Sequence, residues 1–380
     1  MTGHGPLHGV KVIELAGIGP GPYAAMLLAD LGAEVVRVER PGPQASAVPP
    51  EMDVLRRNRR SIVVDLRHAD GVRTVLSMVG RADVLLEGFR PGVTERLGLG
   101  PADCWAVNPR LVYGRMTGWG QSGPLAPTAG HDIGYIAVTG ALGAIGRAGE
   151  APVPPVNLVG DFGGGSTFLV IGVLAALWEA RGSGRGQVVD AAIVDGASSL
   201  TALLHGLMAA GQWVDHRGVN FLDTGVPWYD TYQTADGQWM AVGALEPKFY
   251  AEFVRLLGLS DEVAGNRADP STWPRLREAI ADAFASRTRE AWSAVFEGTD
   301  ACVAPVLSLA EAADHPHLSA RQTFVDVGGV IQPAPAPRFS RTVPPAPSPP
   351  PAVGADTADV LRDWGVENID TLIADGVVGG

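Results

Sequence analysis

The stretch from Val10 to Val38 reads VKVIELAGIGPGPYAAMLLADLGAEVVRV, and its reading decides the fold. Val10–Leu15 is a short apolar run of the kind that forms a buried strand. Gly17, Gly19, Pro20, Gly21 and Pro22 then break the chain. Tyr23–Leu31 has helical spacing, and Val35–Val38 is a second apolar strand. Together they predict a βαβ unit with a Gly/Pro-rich first turn. Ser61–Leu66, Ala82–Leu86, Leu111–Met116 and Val188–Ala192 read as further short strands separated by helical segments. Such alternation predicts an α/β fold, a parallel sheet covered by helices.

Downstream, Gly163-Gly164-Gly165 precedes an apolar helix expected over Ser166–Ala180. That helix is hydrophobic nearly all round and is expected to be buried. A further helix is expected from Asp195 to Gly211. The character changes near Val226, where Thr231–Thr234 and Trp239–Val242 flank Asp236-Gly237, a hairpin signal. Helical patterns follow over Glu246–Leu257 and Thr272–Ala285. They place a smaller α+β domain at 227–316. Ala334–Ala352 is proline-dense and reads as an extended connector. Thr357–Val378 predicts two short helices. The expected organisation is a large domain begun by 1–195, a linker over 196–226, the small domain, a returning linker over 317–350, and a completing segment over 351–380.

Composition excludes several classes of function. Of 380 residues, 46% are hydrophobic and 18% charged, which suits a chain with a large core rather than a disordered one. The net charge of -12 leaves no general basic footprint for nucleic acid. A polyanionic ligand must therefore meet a local arginine cluster. The 2 cysteines, Cys104 and Cys302, form neither a disulfide framework nor a metal spacing. Met1–His8 lacks the features of a signal peptide. Phe168–Trp178, the longest near-apolar run, is too short to span a bilayer. The cytoplasm is the expected location.

Several strings together resemble the family III CoA-transferase (CaiB/BaiF) superfamily and, within it, the α-methylacyl-CoA racemases. They are VIELAGIGPGPYAAMLLADLGAEVVRVERP (12–41), NRRSIVVDLR (58–67), LLEGFRPGVTERLGLG (85–100), GRMTGWGQSGP (114–124), AGHDIGYIAVTGAL (129–142), NLVGDFGGGS (157–166) and VGALEPKFY (242–250). The strings cover nearly the whole chain in the right order. The resemblance implies an interlocked homodimer. Each subunit would have a Rossmann-like large domain, built from N- and C-terminal segments, and a small domain joined by two long linkers. It also implies an acyl-CoA thioester substrate, with CoA as part of the substrate and no separate cofactor.

Racemisation next to a thioester needs a base on one face of the α-carbon, an acid on the other, and donors for the enolate oxygen. His131, in GHD, and Asp161, in GDFGGGS, lie on separate segments and suit the two roles. Histidine gives and takes protons near neutral pH; its other reading is a loop residue that only hydrogen-bonds at a helix start. For Asp161 the other reading is an N-terminal cap, although three bare glycines point to close approach of a ligand instead. In racemases of the resembled family the matching histidine and aspartate are partners. In its CoA-transferases the matching aspartate is a nucleophile. Glu246, in LEPKFY, matches a family glutamate with a supporting role, or is a helix-terminal carboxylate beside Pro247. Amides near Asp132 and Asp161 are expected to hold the enolate without a metal.

CoA carries phosphates and an adenine, which arginine and backbone amides hold. The resemblance assigns CoA contacts to Arg40, to Val64, Asp65, Leu66 and Arg67, and to Gly88, Phe89 and Arg90. It adds Arg96 and a segment of Gly130, Asp132, Ile133, Gly134 and Tyr135. Arg56, Arg57, Arg59 and Arg60 form a local basic run that either borders the phosphates or faces water. GIGPGP followed by Glu39 loosely mimics a dinucleotide fingerprint, but its third glycine is replaced by Pro22, and GHD and GDFGGG have no part in that reading. Three functions stand: a 2-methylacyl-CoA racemase, a CoA-transferase acting through an aspartyl intermediate, and a non-enzymatic nucleotide-binding or interaction module. His131 separates the first two, because the transferases generally lack it.

Overall fold

A computed structural model describes residues 4–42 and 48–379, so residues 1–3 of the segment read for a signal peptide lie outside it. Strand β1 (Lys11–Leu15) leads through Gly19, which takes a left-handed φ of 68°, into helix α1 (Pro20–Asp30), with proline at its first position. There follow β2 (Glu34–Glu39), β3 (Arg59–Val64), α2 (Ala69–Val79), β4 (Val84–Glu87), α3 (Val93–Leu97), α4 (Pro101–Val107), β5 (Val112–Thr117) and α5 (Asp132–Val138). A π-helical segment, Leu158–Ser166, runs directly into α6 (Thr167–Ser183). Next come β6 (Val188–Ala192) and α7 (Ile193–Leu200).

The middle of the chain forms α8 (Ala202–Ala209), β7 (Tyr229–Gln233), β8 (Trp239–Gly243), α9 (Pro247–Leu257), α10 (Asp261–Ala264), α11 (Trp273–Ala285), α12 (Arg289–Phe296), β9 (Val303–Pro305) and α13 (Leu309–Ala312). The end supplies α14 (Pro316–Ala320), β10 (Phe324–Val327), β11 (Val330–Pro333), α15 (Thr357–Asp363), α16 (Ile369–Ala374) and β12 (Val378–Gly379).

The chain divides into two compact units, one of 1–139, 156–201 and 317–380, the other of 140–155 and 202–316. The first carries a seven-stranded sheet in the order β12-β3-β2-β1-β4-β5-β6. All its strands are parallel except β12, which runs antiparallel to β3. Alternate side chains of β1 enter different cores. Val12 packs with Ala24, Leu28, Leu169 and Val173 from α1 and α6, whereas Ile13 packs with Val75, Met78, Leu361 and Trp364 from α2, α15 and the residue after it. Helices therefore cover both faces, which is why the strands read as continuous apolar runs.

In the second unit, β7, β8 and β9 form an antiparallel sheet. The expected hairpin is there, closed by a loop over 234–238 in which Gly237 has a φ of 74°. Phe253, Phe284, Trp292 and Phe296, from α9, α11 and α12, fill its core. The boundaries differ from the expected ones in two places. Within the expected linker 196–226, α7 belongs to the first unit and 202–226 to the second. Residues 140–155 also belong to the second unit, where Arg147 Nη2 holds Asp230 Oδ1 at 2.8 Å.

Three other expectations change. The returning linker carries structure of its own before the proline-dense 334–352, since β10 and β11 pair there, while 334–352 has neither helix nor strand. The helix expected over Asp195–Gly211 is two helices, α7 and α8. The apolar helix expected from Ser166 starts eight residues earlier, and Leu158–Ser183 (26 residues) is long and apolar enough to cross a membrane by length and composition. Its Leu169, Val173, Ala176 and Ala180 are buried on the sheet. Ile171 (60% exposed) and Trp178 (76%) are not, so only one face of this all-round apolar helix is covered within the chain.

Candidate active site

In the sheet of the first unit, the strand order turns back between β1 and β4. A doubly wound sheet opens a crevice there, beyond the carboxyl ends of the strands. Two cavities lie against the loops that follow β1 and β4, and both are lined by Leu15, Gly17 and Phe89. The larger, about 1000 Å³, is bordered by Arg37, Arg40 and the segment Val64, Asp65, Leu66 and Arg67. The other, about 460 Å³, is bordered by Gly88, Phe89, Arg90, Gly130, His131, Tyr135 and Asp161. His131 and Asp161, 30 residues apart in sequence, thus face one space.

Asp161 stands in the π-helical segment rather than before a helix, so the capping reading does not hold. Such segments are rare and recur at functional sites. The Asp161 backbone N–H donates to Asp132 Oδ1 at 2.6 Å, and Asp161 O accepts from Ser166 Oγ at 3.0 Å. The neighbouring Phe162 ring stacks on Tyr23 of α1 at 4.2 Å. Burial, with the Asp132 charge adding to it, pushes the Asp161 carboxyl up to about 6, while a hydrogen bond from Asn157 and the nearby His131 pull the other way.

The glycines after Asp161 have a packing cause within the chain itself. A Cβ on Gly164 would press on the Ala197 backbone, one on Gly165 would meet Ile193 and Met116, and one on Gly196 would overlap Gly164 O. The bare segment lets α7 lie against it backbone to backbone.

His131 occupies the N-cap position of α5, yet its side chain makes no capping hydrogen bond and is exposed. Its carbonyl takes that part, accepting from Gly134 N at 2.8 Å. The bland reading of His131 as a capping side chain therefore fails, and the imidazole is left to the cavity. Tyr135 sits edge-on to Trp119 at 4.8 Å, and its ring occupies the space a Cβ on Gly118 or Gly130 would need. Burial, then the charge of Asp161, raises the Tyr135 phenol.

The remaining residues tied to CoA separate into two groups. Arg40, Val64, Asp65, Leu66 and Arg67 border the larger cavity, and Arg67 Nε pairs with Asp65 Oδ1 at 3.0 Å. Arg96, Asp132, Ile133 and Gly134 border neither cavity. Arg96 donates its amide to Gly92 O at 3.2 Å, and the Asp132 carboxylate is turned to the Asp161 amide. Glu246 takes the N-cap position of α9, before Pro247, in the second unit.

The basic run is mostly internal, although Arg56 also lines the larger cavity. Arg57 pairs with Asp30 and Arg59 with Glu14, all buried. Arg56 pairs with Glu39, which also accepts from Ser61 Oγ at 3.1 Å and is 1% exposed. Glu39 lines the larger cavity, and the bonds from Arg56 and Ser61 both fall on its Oε1. Arg60, partly exposed, reaches Asp363 at 2.8 Å.

Glu87 was not legible as a site residue. It ends β4, borders the smaller cavity, accepts from Phe89 N at 2.7 Å and holds Arg115 Nε at 3.0 Å. Burial pushes its carboxyl up to about 7 despite the arginine. The only sequence signal was a carboxylate closing an apolar strand, just before the GFRPG turn.

The arrangement sets two proton-carrying groups against one cavity, and the chain as a whole is similar to known proteins. The profile of "CoA-transferase family III" matches residues 7–357. The chain is 47% identical to the alpha-methylacyl-CoA racemase of Mus musculus, over 98% of this chain and 97% of that one. It is 42% identical to the Homo sapiens protein of the same name, with the same coverage. It is 30% identical, over 94% of each chain, to the succinyl-CoA–D-citramalate CoA-transferase of Chloroflexus aurantiacus. The crystal structure of a CAIB/BAIF family protein from Brucella suis superposes with a TM-score of 0.82 at 26% identity, covering 95% of this chain and 100% of that one. The chain belongs to CoA-transferase family III.

Proposed function

We propose that this protein is an isomerase that interconverts (2R)- and (2S)-2-methylacyl-CoA thioesters by 1,1-proton transfer through an enolate. One observation carries the reading: His131 and Asp161, two proton-carrying groups on different elements, border the same cavity. In one direction neutral His131 takes the α-proton, the C–H electron pair moves into the enolate, and protonated Asp161 returns a proton to the other face. In the reverse direction the Asp161 carboxylate takes and the imidazolium gives. Both ready states hold one proton on the pair. The Asp161 amide is engaged by Asp132 Oδ1 and the Gly134 amide by His131 O, so neither is free for the enolate oxygen. The larger cavity suits the CoA phosphates and adenine, with Arg40 at its border. Glu246 keeps the supporting role that the racemase resemblance implies, and the exposed apolar face with Ile171 and Trp178 suits burial against a second copy.

The test is incubation of one enantiomer of a 2-methylacyl-CoA in D2O with no acceptor acid. The expected result is loss of optical purity with deuterium at the α-carbon. Adding acetate, formate, succinate or oxalate should give no new acyl-CoA, and hydroxylamine should trap no acyl group on Asp161. A transferase must form such an adduct; its appearance, with an acceptor-dependent product, would reverse the assignment.

The placement of CoA makes a second prediction. Arg40→Ala raises KM for acyl-CoA about tenfold, the size of one lost charge-assisted contact, and leaves kcat nearly unchanged because the phosphate is remote from the reacting carbon. Steady-state kinetics decide it, and an unchanged KM moves the phosphate site elsewhere.

A further inference from the structure

Asp132 presents an arrangement that the proton transfer does not by itself require. Oδ1 accepts the Asp161 N–H at 2.6 Å across two separate elements. Oδ2 is buried and has no hydrogen-bond partner. Gly160 is bare for the same reason, since a Cβ there would overlap Asp132 Oδ1. An asparagine would accept the amide equally well and would carry no charge. Buried polar atoms are nearly always satisfied, and an exception calls for a cause. The unpartnered oxygen stands beside the one carboxyl in the cavity that the proposed reaction needs as an acid.

We infer that Asp132 is a positioning residue for the proposed racemisation: one oxygen clamps the Asp161 backbone, and its charge governs when the Asp161 carboxyl holds a proton. The inference rests on the racemase reading. The direction of the effect agrees, because Asp132 adds to burial in raising Asp161. Other groups near Asp161 do not supply this charge. His131 acts in the opposite sense, and Tyr135 on α5 is neutral, with Arg90 acting on it. On α7, the only titratable side chain is Asp195, which is exposed. On α1, Tyr23 stacks on Phe162, and Asp30 is bound by Arg57 at the helix's far end.

Asp132→Asn keeps the acceptor and deletes the charge. In protein labelled with 13C-carboxyl aspartate, the Asp161 resonance is identified by its loss in Asp161→Asn. It should titrate near 6 in the native protein and roughly one pH unit lower in Asp132→Asn, the size of one nearby charge. The pH profile of kcat/KM should move to lower pH with it, while KM for acyl-CoA changes less than about threefold. If Asp132→Asn does not fold, Asp132→Ser offers a smaller acceptor for the same titration. An Asp161 midpoint that is the same with and without the Asp132 charge overturns the inference, whatever happens to activity. The resonance needs no substrate, so a native protein that racemises nothing sinks the functional reading separately.

Discussion

Racemisation of a 2-methylacyl-CoA falls by a factor of about 100 or more when either His131 or Asp161 is replaced by alanine, the usual loss on removing a general acid or base. Each direction of the reaction uses both groups, so neither variant should retain one-way activity. Exchange of the α-proton with D2O distinguishes them further: the group that remains can still remove a proton from its own face, so slow exchange without inversion is the expected residue. Neither change should unfold the protein. His131 is exposed, and the packing around Asp161 runs through its backbone to Asp132 and Ser166. Near-normal racemisation in either variant removes that residue from the mechanism.

The same pair sets the pH dependence. Activity requires one proton on the pair. It is lost at low pH, when both groups are protonated, and at high pH, when both are deprotonated, which makes kcat/KM bell-shaped. The two limbs belong to the coupled pair rather than to one residue. Because the Asp161 carboxyl is held up to about 6, the acid limb should fall well above the ordinary carboxylate range of about 4.

Arg57→Ala is expected to destabilise the protein by about 3–5 kcal/mol, the cost of leaving one member of a buried ion pair alone. Arg57 and Asp30 are 3% and 2% exposed, and two bonds join them, at 3.0 and 2.5 Å. The same guanidinium donates to Gln332 Oε1 at 2.9 Å and Pro333 O at 2.7 Å, so it ties α1 to the strand β11. After its removal, Asp30 keeps only Asn58 Nδ2, at 2.7 Å, among these partners. The exposed pair Arg362–Asp359 provides the control, since screening by water makes such a pair worth well under about 1 kcal/mol. The midpoints of urea unfolding for Arg57→Ala and Arg362→Ala measure the contrast. Equal midpoints would mean that water reaches Asp30 once the arginine is gone.

The architecture of the first unit was largely legible in the sequence. Strands covered on both faces are mostly apolar, so β1, β2, β4 and β5 show as Val- and Leu-rich stretches even though Glu14, Arg37, Glu39, Glu87 and Arg115 sit in them, and the Gly/Pro turn between β1 and α1 marks where the sheet opens. His131, Asp161, Arg40 and the Val64–Arg67 segment were legible through motifs shared with a family, and the structure sets all of them against the two cavities. Strand β12 could not be read, because two residues carry no period and pair only when the edge of β3 is present. The arginines of 56–60 look alike in the sequence; whether each meets a carboxylate from Glu14, Asp30 or Glu39 depends on which strands become neighbours. The glycines of GDFGGGS were visible as bare backbone, but what they made room for was decided by α7, more than 25 residues away in sequence. Local periodicity and turn chemistry act between near neighbours, and these the sequence determined by itself. The protonation of Asp161, the enclosure of Glu39 and the tight seat of the π-helical segment arise from burial and charge contributed by distant segments, which only the tertiary structure brings together.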